Sequence, residues 1–284
     1  GLIAGGYFKE AAEILWSHIV HLDHRGSHPH FAYTVGNDGP DTSNDYAGLP
    51  QTVARGCVHL YRKVPANQKS GYIPLLREAF NATASSISYW SARNYIWKDC
   101  WESVRDEASL PMWERTGGAQ NQIAFDLVCH TGMAIQYLDN LSKILGVPNP
   151  HQQTYANLYG LAQSMWDNQI QAFTGKSLDG NSVGVLDIST FLALSAGFAT
   201  SDQARIIVEN HLRNSNEFNT SYPIPTIPKN DPSYKPSALW RGGNMMQWTS
   251  MVVEGLSKYG FTNDVRSIST RSQRLNGAEY FHPE

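Results

Sequence analysis

Apolar residues recur along most of this chain at helical rather than strand spacing. From Ile123 the positions Ile123, Leu127, Ala134, Leu138, Leu141 and Leu145 share one face of a predicted helix, because residues three, four and seven apart lie on one side. Lys143 near its end, then Gly146 and Pro148, supply a stop. Met245, Trp248, Val252, Leu256 and Tyr259 form a second stripe, closed at Gly260. Thr200 to Gln203 reads as a capping box that opens a helix through Ile207, His211 and Leu212. Further stripes run from Phe8 to Ile19, Val53 to Tyr61, Leu75 to Trp90, Tyr155 to Trp166 and Val265 to Leu275. No segment sustains the alternation that a half-buried strand shows, so strands are expected to be few and short. The pattern predicts an all-α chain.

Between these stripes lie four long connections, about 23–49, 91–117, 172–187 and 214–242, rich in Gly, Pro, Asp, Asn and aromatics. Long irregular segments in a compact domain are uncommon and usually functional. Helices alternating with such loops suggest a ring of helices that gathers its loops over one end.

Composition removes several classes of function. A chain of 284 residues can bury one large core, and a single domain over 1–284 is expected. The net charge of -3 and pI of about 6.4 leave no basic surface for nucleic acid. No apolar run reaches the 18 or so residues that a membrane span needs, so no membrane partner is expected. Cys57, Cys100 and Cys129 are scattered and include no C-x-x-C pair, which argues against a zinc ribbon and a disulfide scaffold. Asn81, Asn140 and Asn219 open N-x-[ST] sequons, a number that chance supplies in an Asn-rich chain. The chain opens on Gly1 with no initiator Met or signal peptide, so a processed or partial polypeptide is expected. A cytoplasmic setting is slightly favoured, and the oligomeric state is open.

The segment 97–113 carries the densest chemistry. It packs Asp99, Glu102, Asp106 and Glu107 among Trp97, Trp101 and Trp113. Burial near flat rings raises a carboxyl pKa and suits it to act as an acid, and sugars dock on indole faces. The alternative is a solvated acidic loop whose tryptophans plug the core. A second cluster, His18, His21, His24, His28 and His30, holds five of the ten histidines. His18 and His21 at i, i+3 can share a helix face and bind zinc with His24 or His28. No H-E-x-x-H or nearby Cys completes that set, so the favoured reading has no metal and no cofactor.

Six segments then carry a family resemblance, in order along the chain. Glu102-Ser103-Val104-Arg105-Asp106, with Pro111-Met112-Trp113 after it, resembles the E-S-G-R-D-N-S-P-M-W signature of the six-hairpin, (α/α)6-barrel glycosidases. These are glycoside hydrolase family 63 and its mannosylglycerate and glucosylglycerate hydrolase relatives. Gly26-Ser27-His28-Pro29-His30 resembles their G-x-I-P-H loop, and Phe125-Asp126-Leu127 their V-D-L helix start. Phe191 to Gly197 resembles F-L-P-L-x-A-G. Trp240-Arg241-Gly242, with Gly255-Leu256 and Tyr259-Gly260, resembles Y-W-R-G-P…G-L-x-x-Y-G, and Glu279 to Pro283 resembles E-Y-Y-x-P.

The resemblance implies an (α/α)6 toroid in which Asp106 is the general acid and Glu279 the general base. An inverting glycosidase needs such carboxyl groups roughly 6.5–9.5 Å apart, and a closed ring of hairpins can bring together residues so distant in sequence. It also implies sugar-binding roles for His30, Trp101, Glu102, Arg105, Trp113, Asp126, Trp240, Arg241 and Gly242. Beside each role stands a plainer one. The tryptophans can be core plugs, Arg105 an ion-pair partner of Glu102 or Asp106, and Asp126 a partner of its helix dipole.

Departures from the pattern are specific. Val104 stands for the signature Gly and Glu107 for its Asn, two extra residues precede Pro111, and Gly243 follows W-R-G where the family has Pro. Met245 and Thr249 replace a Trp and an Asn further on, and Gly48-Leu49-Pro50-Gln51 replaces Q-P-P. About nine or ten helices are expected where a complete barrel has twelve, with the toroid incomplete at both ends. The expected function is inverting hydrolysis of a small α-glucoside or α-mannoside of the glycosylglycerate type. A processing-type α-glucosidase acting on oligosaccharides, or a catalytically impaired carbohydrate-binding relative, is the alternative.

Overall fold

The computed structural model describes residues 2–20, 52–96, 117–118, 121–238 and 240–277. They fall into two compact units, one drawn from Gly1–Val104 and His130–Leu158, the other from Arg105–Cys129 and Tyr159–Glu284. Among the described residues the structure is helical, with two antiparallel sheets of two short strands each.

In the first unit, α1 (Phe8–Val20), α2 (Thr52–Lys63) and α3 (Ile73–Ala92) are the helices that the stripes predict. Their apolar faces share one core: Val53, Ala54, Cys57, Val58 and Leu60 of α2 with Leu75, Leu76, Ala79 and Ala82 of α3, beside Ala11 and Ile19 of α1. Burying each Val or Leu contributes about 1.5–3 kcal/mol. The Cys57 thiol, sealed in this core, is pushed up to about 12 by burial, so it is a packing group and no nucleophile. A Cβ on Gly56 would fall 2.5 Å from the Leu15 Cδ2 atom, which shows how closely α1 lies on α2. Pro74 occupies the first turn of α3, where its missing N–H removes no helix bond.

Helix α4 (Phe125–Leu145) ends at Gly146, whose φ of +68° turns the chain out as the sequence predicts. It begins two residues later than its stripe, because Ile123 belongs to β1 (Gln122–Ile123). Helix α5 (Gln152–Gln163) likewise stops before Trp166, which lies in β2 (Trp166–Asp167). There β2 pairs with β3 (Ala172–Phe173), and Trp166 sets its ring edge-on against Phe173 at 5.0 Å. This hairpin contact, not a further helical turn, covers one side of the half-buried indole. Strand β1 pairs with β4 (Lys176–Ser177), so the connection at 172–187 carries short strands.

The second unit centres on α6 (Ser189–Ala196) and α8 (Met246–Lys258). All eight residues of α6 are buried, which leaves it no polar face and no readable stripe. A Cβ on Gly255 of α8 would meet the backbone nitrogen of Ser195 at 2.6 Å, so the helices nearly touch. Between them in sequence, α7 (Ser201–Ile206) opens with the predicted capping box. The Gln203 N–H donates to the Thr200 hydroxyl at 3.2 Å, and the Thr200 N–H donates to the Gln203 side-chain oxygen at 2.9 Å. The helix then widens into a π-turn over Ile207–Leu212. Helix α8 closes at Gly260, φ +79°, and α9 (Thr262–Gly277) follows.

Candidate active site

Four of the residues singled out from the sequence lie among those described. Asp126 sits in the first turn of α4, 1 % exposed, with Oδ1 accepting the Leu127 N–H at 2.8 Å. A second buried carboxylate accompanies it. Asp187, 2 % exposed, accepts the Ser189 N–H at 2.7 Å just before α6. Burial, and then the negative charges of Asp126 and Asp187, push the Cys129 thiol well above its ordinary range. Two acidic groups therefore share one buried corner, and the sequence reading missed Asp187. Its only signal was an acidic residue two positions before a hydroxyl residue at the start of an apolar run, a common helix-entry pattern.

Trp240 is fully buried, its indole edge-on to Trp248 of α8 at 5.5 Å. Of the two roles open to it, this placement is that of a core plug. Arg241 is half-buried, and its guanidinium makes no hydrogen bond or ion pair among the described residues. A cation held this way favours a partner that brings negative charge or hydroxyls. Gly242 has φ +139°, a conformation that only glycine adopts readily, and a Cβ there would lie 2.5 Å from the Tyr234 ring. Its N–H is already given to the Thr226 hydroxyl at 3.0 Å. Gly242 thus lets the backbone pass beneath an aromatic ring.

That ring forms part of a cavity of about 670 Å³ in the 214–242 connection, lined also by Tyr222, Lys229, Gly242 and Asn244. The connection is long but pinned. The Lys229 N–H donates to the Glu217 carbonyl at 3.1 Å, and the Thr226 N–H to the Gly243 carbonyl at 3.1 Å. Glu217 in turn receives His211 Nδ1 at 2.7 Å, while His211 Nε2 meets the Ile170 carbonyl at 2.9 Å.

His30, Trp101, Glu102, Arg105, Trp113 and the two carboxylates Asp106 and Glu279 lie outside the described residues, as do His21, His24 and His28 of the histidine cluster. His18 is exposed, with Nδ1 bonded to the Ile14 carbonyl at 2.9 Å. Among the described residues no group of His, Cys, Asp and Glu is placed to hold a metal, and no helix is long and apolar enough to cross a membrane.

The fold is an (α/α)6 fold of the kind found in sugar-cleaving enzymes. It is similar to the glycoside hydrolase family 63 mannosylglycerate hydrolase of Thermus thermophilus in complex with glucose, at TM-score 0.82 and 17% identity over 94% of this chain and 80% of that one. The same hydrolase in complex with Tris and D-glycerate gives TM-score 0.83 at 17% identity, over 97% and 82%. Neutral trehalase Nth1 of Saccharomyces cerevisiae gives TM-score 0.67 at 14% identity, over 96% of this chain and 62% of that one. No curated protein sequence matches. Residues 38–284 match the family described as the mannosylglycerate hydrolase MGH1-like glycoside hydrolase domain, and the chain belongs to that family. It is a glycoside hydrolase of the family 63 mannosylglycerate hydrolase type.

Proposed function

We propose that the protein inverts configuration while hydrolysing a small α-glucoside or α-mannoside of the glycosylglycerate type, with all of 1–284 working as one catalytic domain. The observation that carries this reading is the family match over residues 38–284, a span that holds both signature carboxylates in the family's order. Asp106 protonates the glycosidic oxygen as the bond to the anomeric carbon breaks. Glu279 takes a proton from the water that attacks the opposite face, so the α-linked sugar leaves as the β-anomer. His30, Trp101, Glu102, Arg105, Trp113, Asp126 and Arg241 hold the sugar, while Trp240 and Gly242 fix the loop that presents Arg241. No cofactor takes part. The similar Thermus enzyme was seen with glucose and with D-glycerate, chemistry consistent with a hexose joined to a short hydroxy acid.

The assignment is tested by Asp106→Asn, which keeps shape but removes the transferable proton. Turnover of a glycosylglycerate should fall about 100-fold or more, and that of a glycosyl fluoride, which needs no protonation, much less. Equal activity of variant and parent on the glycosylglycerate would refute the role of Asp106. Proton NMR of the first product should show the β-anomer, and EDTA should leave the rate unchanged. Val104, Glu107, Gly243 and Met245 stand where the family pattern has other residues and favour a second reading, a processing-type α-glucosidase or an impaired sugar-binding relative. Turnover of a glucosylated oligosaccharide but no glycosylglycerate would favour the first of these, and binding without turnover the second.

A further inference from the structure

Two arginines of the second unit carry the same guanidinium edge and use it differently. Arg213, just past the π-turn, lays its Nε and Nη2 groups on the two carboxylate oxygens of Asp264, in the first turn of α9, at 3.0 and 2.8 Å. Arg271, further along α9, spends its Nη1 group on the Asn219 side-chain oxygen at 3.0 Å and on the Thr220 carbonyl at 2.6 Å. Its Nε–Nη2 edge meets no acceptor among the described residues, and the Nε atom is buried. A buried donor without a partner calls for an explanation. The bond to Asp264 holds the Arg213 guanidinium above its ordinary range, whereas burial moves Arg271 below it. An arginine stays charged all the same, and among the described residues no ion pair offsets Arg271.

Both arginines line one cavity of about 90 Å³, together with Asp264, Asn219 and Ser267, and its remaining described wall is apolar. Asp264 is neutralised by Arg213, so the wall carries one net positive charge. The volume lies well below the roughly 300–1,000 Å³ of a small-molecule site, which leaves room for a compact ion and none for a sugar. We propose that this cavity binds a free tetrahedral oxyanion, inorganic phosphate or sulfate, held side-on by the Nε–Nη2 edge of Arg271, with the Ser267 hydroxyl one turn back on α9 as a further donor. Arg213 on Asp264 displays the mode, two oxygens of one acid on one guanidinium edge. Bound there, the ion adds to the bonds by which Arg271 ties α9 to Asn219 and Thr220. None of these residues belongs to the hydrolytic machinery described above, so the site stands apart from that reading.

The test is a calorimetric titration of inorganic phosphate into the full chain, with ionic strength held constant by chloride. Saturable binding is expected, with sulfate competing and glucose 6-phosphate, too bulky for the cavity, not competing. Affinity should fall about tenfold or more in Arg271→Met. It should fall in Arg271→Lys as well, because an ammonium keeps the charge but cannot span two oxygens. Arg271 also holds Asn219 and Thr220, so a second variant leaves it in place. Ser267→Asp, at an exposed position, sets a carboxylate beside Arg271 and should abolish phosphate binding in a folded protein. By mass action phosphate should raise Tm of the parent with concentration, and leave that of Ser267→Asp unmoved. Equal phosphate binding by parent and Ser267→Asp, or equal effects of phosphate and chloride on Tm, would overturn the site. Competition by glucose 6-phosphate would overturn its restriction to a free ion. No readout depends on hydrolysis, so the site and the hydrolase reading fail separately.

Discussion

The α6–α8 pair and the 214–242 connection belong to the same unit, yet they use their polar groups in opposite ways. Around α6 the side chains are committed to the fold. The Ser195 hydroxyl donates to the Met251 carbonyl at 2.6 Å, the Thr190 hydroxyl accepts the Phe173 N–H at 3.0 Å, and the Lys258 ammonium donates to the Ser195 carbonyl. In the connection the backbone is as well bonded, but Tyr222, Lys229, Tyr234 and Arg241 keep side-chain donors without partners among the described residues. Buried polar groups left unmet cost stability, so a core tolerates few. A solvated cavity wall can keep them in reserve for a ligand.

If this contrast holds, substitutions in the pair should register in stability and those in the connection in binding. Phe191→Ala removes a ring with no exposure that meets Phe218 edge-on at 4.9 Å. Denaturant titration should show a loss of about 3–5 kcal/mol. Gly255→Ala drives a methyl group against Ser195, and a loss of about 1–3 kcal/mol is expected. Thr200→Ala removes the cap of α7 and should cost about 1 kcal/mol by the same measurement. Arg241→Met should alter stability by no more than about 0.5 kcal/mol while lowering kcat/KM on a glycoside. Were it to unfold the protein instead, the arginine would be part of the fold and the contrast would collapse.

The smallest effect concerns acid. Burial pushes the Asp167 carboxyl up. Hydrogen bonds from the Ser182 hydroxyl and from the Gln169 and Ile170 N–H groups outweigh that and hold it below its ordinary 3.8. A depressed carboxyl contributes stability that is whole above the unfolded value and is lost as pH falls through the folded one. Asp167→Asn should therefore flatten stability against pH only in that acid range. A parallel slope in parent and variant from pH 5 to 2 would count against the depressed carboxyl.

What the sequence disclosed followed the wetting of each helix. Helices α2 and α3 have one buried face and one in water, so their spacing announced them, and Thr200 with Gln203 announced the start of α7. Helix α6 is buried all round, and a helix without a polar face leaves no period to read; only the family resemblance flagged its residues. Ile123 and Trp166 fitted helical stripes by spacing, but pairing with Lys176 and Phe173 drew them into strands. Within the site, the motif drew attention to Asp126, Arg241 and Gly242. The cavity wall stayed hidden because it is assembled from irregular chain, where no period links Tyr222, Lys229 and Tyr234.

The bonds that pin the 214–242 connection also bear on how a ligand is received. A loose loop of this length must surrender about 1–2 kcal/mol of backbone freedom for each residue that it orders on a ligand. Here that loss is taken during folding, through Glu217 with Lys229, Thr226 with Gly243 and Gly242 with Thr226. Binding then has only side-chain rotors left to still, so more of each contact appears as affinity.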